Sequence, residues 1–188
     1  MAEKSWQVMH MNVMKGITTA QSNEHQRNWT ERGWDFALEK GRYDRQRERL
    51  NFEVVKGGKI QAIDKRQSIP ERMAESLLQR GIKDPNEGLA EPKYRTVVDF
   101  ILSGSQNTIR QLAFGDQDVV YEPGNNLENA TLKRMPEIEQ WAKDMYWFMS
   151  ERFGEENIVG CYVHLDELSP HMHLTLLPIQ DGKFAFKK

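Results

Sequence analysis

"NIVGCYVHLDELSPHMHLTLLPI", residues 157–179, decides the fold and frames the chemistry. Two apolar runs flank "ELSP", a link of hairpin length that contains Pro170. A strand sends alternate side chains to opposite faces. His171, His173, Thr175 and Leu177 therefore share one face, while Met172, Leu174 and Leu176 share the face suited to a core. His164 ends the preceding strand, and folding the hairpin brings it close to the His171/His173 pair. Three neutral imidazoles with an open position suit a divalent ion of the catalytic type: Mn, Mg, Zn, Ni or Co. A structural zinc site would more often add cysteine. Cys161, the chain's single cysteine, is an odd number of residues from His164 and points to the other face. Asp166 and Glu167 are near enough to orient a ligating histidine, and Glu167 is alternatively a general base.

Outward from the hairpin, "SWQVMHMNVM" reads as a first strand, and its His10 as a structural residue. Residues 18–39 read as one helix, capped by threonine, with Trp29 and Phe36 on one face and Gly33 weakening its middle. "RLNFEVVKGGKI" is a strand into a Gly-Gly turn. "SIPERMAESLLQRGI" is a helix with Ser68 as cap, Pro70 in its first turn and Gly81 as stop. "RTVVDFILSGS" is a strong strand, and Ser105 caps a short helix after it. "MPEIEQWAKDMYWFMSERFG" is the clearest helix, with Ile138, Trp141, Met145 and Phe148 as its apolar stripe. Strands and helices do not alternate regularly. The expectation is an α+β domain with a central antiparallel sheet of about five strands and helices packed on it.

With 188 residues, 38% hydrophobic and 29% charged, the chain suits one folded domain over 1–188. No apolar run approaches the roughly 20 residues of a membrane span, and no export signal opens the chain. The expectations are no membrane insertion and, with one cysteine, a reducing bacterial cytoplasm. The abrupt end at Lys188 leads to the expectation of an N-terminal domain of a longer protein. Net charge is −2, yet "KGRYDRQRER", residues 40–49, carries five basic residues, and "KFAFKK" closes the chain. Such runs form either a basic face for a polyanion or a solvated, salt-bridged surface.

"HLDELSPHMH" resembles the third motif of the Mob/Pre (MobV-type) plasmid mobilisation relaxases, within the HUH endonucleases. That motif is His-x-Asp-Glu-x-x-Pro-His-x-His, matched here by His164, Asp166, Glu167, Pro170, His171 and His173. Two weaker motifs agree. His25 stands ten residues after Lys15 of a Met-Lys pair, and Leu50-Asn51-Phe52 resembles the family's Leu-Asn-aromatic. The resemblance runs from Trp6 to Lys188. It implies metal-dependent, site- and strand-specific nicking and rejoining of plasmid or transposon DNA at an origin of transfer. The 5′ end stays covalently attached, and the cut strand is single-stranded at the nick. Accessory mobilisation proteins and a coupling protein are the further partners implied.

Many relaxases attack with tyrosine. None of the five tyrosines lies where the family presents its nucleophile, and Phe52 stands where relatives carry Tyr. The resemblance therefore implies His25, whose neutral imidazole would form a phosphoramidate. The family often reads His-Asn-x-Arg. Here His25-Gln26-Arg27-Asn28 puts the arginine one place early, about 100° around a helix. The DNA contacts expected are Arg27, Arg45, Arg49, Asn51 and Arg95, with Arg42 and Arg47 from the same basic run. Trp29 and Trp34 are either base-stacking or core residues. Two other readings stand beside the relaxase: a DNA-binding or recombination module that keeps the metal site without cleavage, and a three-histidine hydrolase of a small molecule.

Overall fold

A computed structural model describes residues 7–185; Ser5 and Trp6 of the expected first strand and Phe186 to Lys188 of the closing basic run lie outside the described residues. The strands are β1 (Gln7–Met14), β2 (Phe52–Val55), β3 (Lys59–Gln61), β4 (Val97–Gly104), β5 (Ile158–His164), β6 (His171–Leu176), β7 (Ile179–Gln180) and β8 (Lys183–Phe184). The helices are α1 (Thr19–Gln26), α2 (Glu31–Glu39), α3 (Ile69–Gln79), α4 (Gln106–Phe114) and α5 (Pro136–Phe153). Six strands form one antiparallel sheet in the order β1-β4-β6-β5-β2-β3, and β7 and β8 form a separate hairpin. The expected α+β class holds, with one strand more than the roughly five read from alternation.

The last strands in sequence lie at the centre of the sheet, so the histidine hairpin has packed strands on both sides. Met172, Leu174 and Leu176 face the larger core with Phe100, Leu102, Cys161 and Val163, covered by Ile109 and Phe114 of α4 and Ile138, Trp141, Tyr146 and Met149 of α5. Each large apolar side chain buried there contributes about 1.5–3 kcal/mol. On the opposite face, Ile69, Met73 and Leu77 of α3 pack on Val97, Val159, Tyr162 and Leu177. α3 begins as its sequence dictates, with Ser68 and Glu71 in a reciprocal capping box and Pro70 in the first turn. The stripe of α5 differs from the one expected. Ile138, Trp141, Ala142, Tyr146 and Met149 are buried, while Phe148 is exposed.

The single helix expected over 18–39 is two. Arg27 adopts a left-handed backbone (φ 49°) and ends α1; Thr30 then caps α2 by accepting from the Gly33 N–H. The break falls at Arg27, not Gly33. Trp29 sits in the link, against Trp34 and Tyr43, and shares no helical face with the exposed Phe36.

Candidate metal centre and nucleophile

The hairpin register fixes the histidines. His164 pairs directly with His171, and His173 pairs with Tyr162. The three rings lie 5.0–5.3 Å apart, and their facing nitrogens are within 4.8 Å of one another. On each ring one nitrogen is held by an acceptor, which settles the tautomer. His164 Nε2–H donates to the His25 carbonyl at 2.7 Å. His171 Nδ1–H donates to the Ser169 carbonyl at 2.9 Å. His173 Nδ1–H donates to Asp99 Oδ2 at 3.3 Å. The lone pairs left are on His164 Nδ1, His171 Nε2 and His173 Nε2. His164 Nδ1 is buried with no partner among the described residues. A buried orphan lone pair beside two others is a donor set that a divalent ion fits. Burial, and then neighbouring positive charge, holds His164 well below the ordinary imidazole value. Burial and His171 bring His173 down to about 3. The His164 and His173 rings are therefore neutral near pH 7, the state that ligation needs.

His25 reaches this cluster from the last turn of α1. α1 is fixed to the start of α3: Ile69 N–H donates to Ser22 Oγ, and Gln26 Nε2 donates to the carbonyls of Asp64 and Gln67. The His25 ring stacks on His173, with centroids 4.2 Å apart and planes at 29°. Its Nε2 is 3.9 Å from Asp99 Oδ2. Burial and the neighbouring His173 lower its pKa to about 4, so its imidazole too is neutral. Phe52, at the family's tyrosine position, is fully buried in β2 opposite Val163.

Asp99 was not among the residues singled out from the sequence. It accepts from Thr175 Oγ1 at 2.8 Å as well as from His173. The signal was present: a lone acid inside the apolar strand "VVDFIL", which alternation turns to the histidine face.

The two acids of the hairpin turn divide differently from expectation. Asp166 touches no histidine ring. It is fully buried and takes Arg27 Nε and Nη2 at 2.8 and 2.9 Å. Burial raises its pKa, but the guanidinium outweighs that and holds it below the ordinary carboxylate value. Glu167 Oε1 accepts from Arg27 Nη2 at 2.5 Å, and lies 3.7 Å from His171 Nε2 and 4.0 Å from His164 Nδ1. Arg27 can do this because it caps α1 in the left-handed region; the rotation about a continuing helix does not apply to it.

Three expected DNA contacts are committed to protein partners. Arg27 is 1% exposed. Asn51 Oδ1 accepts from the Leu165 N–H at 2.7 Å. Arg49 Nη2 donates to the carbonyls of Asn129, Ala130 and Leu132. Arg47, from the same run, is buried and donates to the carbonyls of Leu165 and Glu167. Arg45 pairs with Glu31 and stacks on Trp34. Arg95 precedes β4, whereas His173 pairs with Ile101. Arg95 lies four residues before Asp99, about 13 Å along the chain at about 3.3 Å per residue, so it does not touch the histidines. Arg42 is exposed and has no hydrogen bond or ion pair among the described residues. Trp34 is buried in a small cluster with Ala37 and Tyr43, which favours the packing role for it.

With this geometry in place, known proteins supply a frame. The family profile of the plasmid recombination enzymes, Mob_Pre, matches residues 88–188, more than half of the chain. Plasmid recombination enzyme type 2 of Staphylococcus aureus is 43% identical over 51 residues, which is 27% of this chain and 12% of that protein. The plasmid recombination enzyme of Streptococcus agalactiae is 45% identical over 40 residues, 21% of this chain and 8% of that protein. The aligned stretches thus span a small part of these relatives' length. Among solved structures, the MobM relaxase domain bound to plasmid pMV158 oriT DNA with Mn has a similar fold. Its TM-score is 0.63 at 17% identity, covering 97% of this chain and 78% of that one. A second MobM complex, with 23 nucleotides of oriT DNA, gives a TM-score of 0.60 at 17% identity, covering 95% of this chain and 72% of that one. The profile match carries the conclusion: this chain belongs to the Mob_Pre family of plasmid recombination enzymes.

Proposed function

We propose that the chain is the nicking and strand-transfer domain of a plasmid-mobilisation relaxase, acting on origin-of-transfer DNA that is single-stranded at the nick. The observation that carries this reading is His25 stacked on His173, beside three imidazoles whose inward nitrogens are left free. The Mn-bound MobM domain with its oriT DNA supports it by likeness of fold. A divalent ion held by His164, His171 and His173, Mn above all, would polarise a DNA phosphate and stabilise the charge that builds on it.

The residues of this chain do the rest. The His25 imidazole, neutral near pH 7, attacks phosphorus. An N–P bond forms and the bond from phosphorus to the 3′ oxygen breaks. One proton leaves the imidazole and one reaches the released 3′ hydroxyl. The 5′ end stays on the protein as a phosphoramidate, and the reverse exchange reseals the strand. Asp99 holds His173 from behind and lies beside His25. Glu167, paired with Arg27 and close to His171 and His164, lies beside the triad, where its place favours an orienting role. Work on plasmid DNA would set the domain in the bacterial cytoplasm. Accessory mobilisation proteins and a coupling protein belong to the same proposal.

The test is a supercoiled plasmid carrying the cognate origin, incubated with the protein and Mn²⁺ or Mg²⁺. Conversion to open circles that stops on chelation supports the reading. Tight binding without conversion would favour the recombination module that does not cut.

A further inference from the structure

The turn between β5 and β6 has two sides. Its inner side, Asp166, is clamped by Arg27, and Arg47 holds the carbonyls of Leu165 and Glu167. Its outer side is also held, through the main chain. Arg110 donates twice to the Leu168 carbonyl, at 3.0 and 2.7 Å, and Gln106 Nε2 donates to Ser169 Oγ at 3.0 Å. The Leu168 side chain is nevertheless 53% exposed. A large apolar group on a rigid backbone, serving no core, is a surface for something else. Beside it lies a cavity of about 410 Å³ lined by Arg42, Pro123, Glu167, Leu168, Ser169 and His171. That is within the size range of small-ligand sites and large enough for one nucleotide. Arg42 offers a guanidinium with no hydrogen bond or ion pair among the described residues, whereas Glu167 shares Arg27 with Asp166, so one negative charge stays on the inner wall. A ligand with an apolar face and its anionic group at Arg42, away from Glu167, suits these walls. Two larger clefts, of about 600 and 590 Å³, border α3, and one of about 450 Å³ lies by β4 and β7; none of the three includes a histidine.

The cavity's lining bears on which nucleotide. It includes His171 but neither His25 nor His173, the ring on which His25 stacks. In-line displacement puts the leaving oxygen opposite the nucleophile. We infer that this cleft holds the nucleotide immediately 5′ of the nick, the one that leaves with a free 3′ hydroxyl, with Leu168 against its base or sugar and Arg42 on its phosphate. The inference rests on the nicking reading above and makes Leu168 a specificity residue and Arg42 a positioning residue of the reaction.

The experiment uses single-stranded oligonucleotides spanning the mapped nick. One is unmodified, one has an abasic unit just 5′ of the nick, and one has it just 3′. Affinity is read by fluorescence anisotropy with Mn²⁺ present, for the wild type, Leu168→Ala and Arg42→Ala. The 5′ abasic unit is expected to weaken binding by the wild type about tenfold, the scale of one base contact, and to add little further loss in Leu168→Ala. The 3′ abasic unit should cost both proteins equally. Arg42→Ala should weaken all three strands and flatten the salt dependence. Mn²⁺ affinity should be unchanged in both variants. Equal losses for wild type and Leu168→Ala on the 5′ abasic strand, or coupling to the 3′ unit instead, would overturn the assignment while leaving nicking intact. If no nick can be mapped on any DNA, the nicking reading and this assignment fall together.

Discussion

At the residue scale, the site is a set of imidazoles sorted by what holds their second nitrogen. His173 depends on Asp99, His171 on the Ser169 carbonyl, and His164 on the carbonyl of His25 itself. Asp99→Asn keeps the volume but removes the charge behind His173. It should weaken Mn²⁺ binding by about 10–100-fold with little change in fold, measured by calorimetric titration; unchanged affinity would remove Asp99 from the account. The lowered histidine values have a consequence for stability. His25 titrates at about 4 and His173 at about 3 when folded, against about 6.5 unfolded. Between those values the unfolded chain binds more protons, so stability is fully present above pH 6.5 and is lost as pH falls toward 4 and below. The metal-free protein should show Tm falling through that window; bound metal should raise Tm near neutral pH and lose that gain as pH falls, because ligation needs the unprotonated rings. The three candidate ligands were legible from strand alternation and the hairpin link. Asp99 was signalled only as a lone acid in an apolar strand; which histidine it holds depends on the register between β4 and β6, which no local pattern states.

At the scale of elements, two buried guanidinia organise the turn that carries Asp166 and Glu167. A buried pair is a poor source of net stability, but removing one partner strands a charge. Arg27→Met should therefore cost about 3–5 kcal/mol in urea unfolding, and Asp166→Asn should recover part of that loss in the double variant. Additive losses would show that the pair is not coupled. The hairpin's other face is ordinary core: Leu174→Ala should cost about 2–5 kcal/mol in the same measurement. Both hairpin strands, α3 and α5 were legible, since each has a clean apolar period and marked ends. The break between α1 and α2 was not. Arg27 is neither glycine nor asparagine, and its left-handed backbone is held by a partner 139 residues away. The same distance effect hid the fate of the basic run. Arg47 and Arg49 read as surface charge in sequence, but both are tied to main-chain carbonyls of distant loops.

At the scale of the whole molecule, the fold is a device for bringing α1 onto the centre of the sheet. β5 and β6, the last long strands made, occupy the middle. β4 supplies Asp99 from one side, and α1 lays His25 on His173 from above the sheet, with α3 holding α1 in place. The central claim is that the residue delivered this way is the nucleophile. The most direct measurement is to trap the covalent adduct on an origin single strand whose 3′ phosphorothiolate leaving group favours accumulation, digest it, and map the modified residue by mass spectrometry. The adduct is expected on His25, acid-labile as a phosphoramidate, and absent from His25→Ala while Mn²⁺ binding persists. An acid-stable adduct on one of the five tyrosines, Tyr162 being the one beside His25, would contradict it.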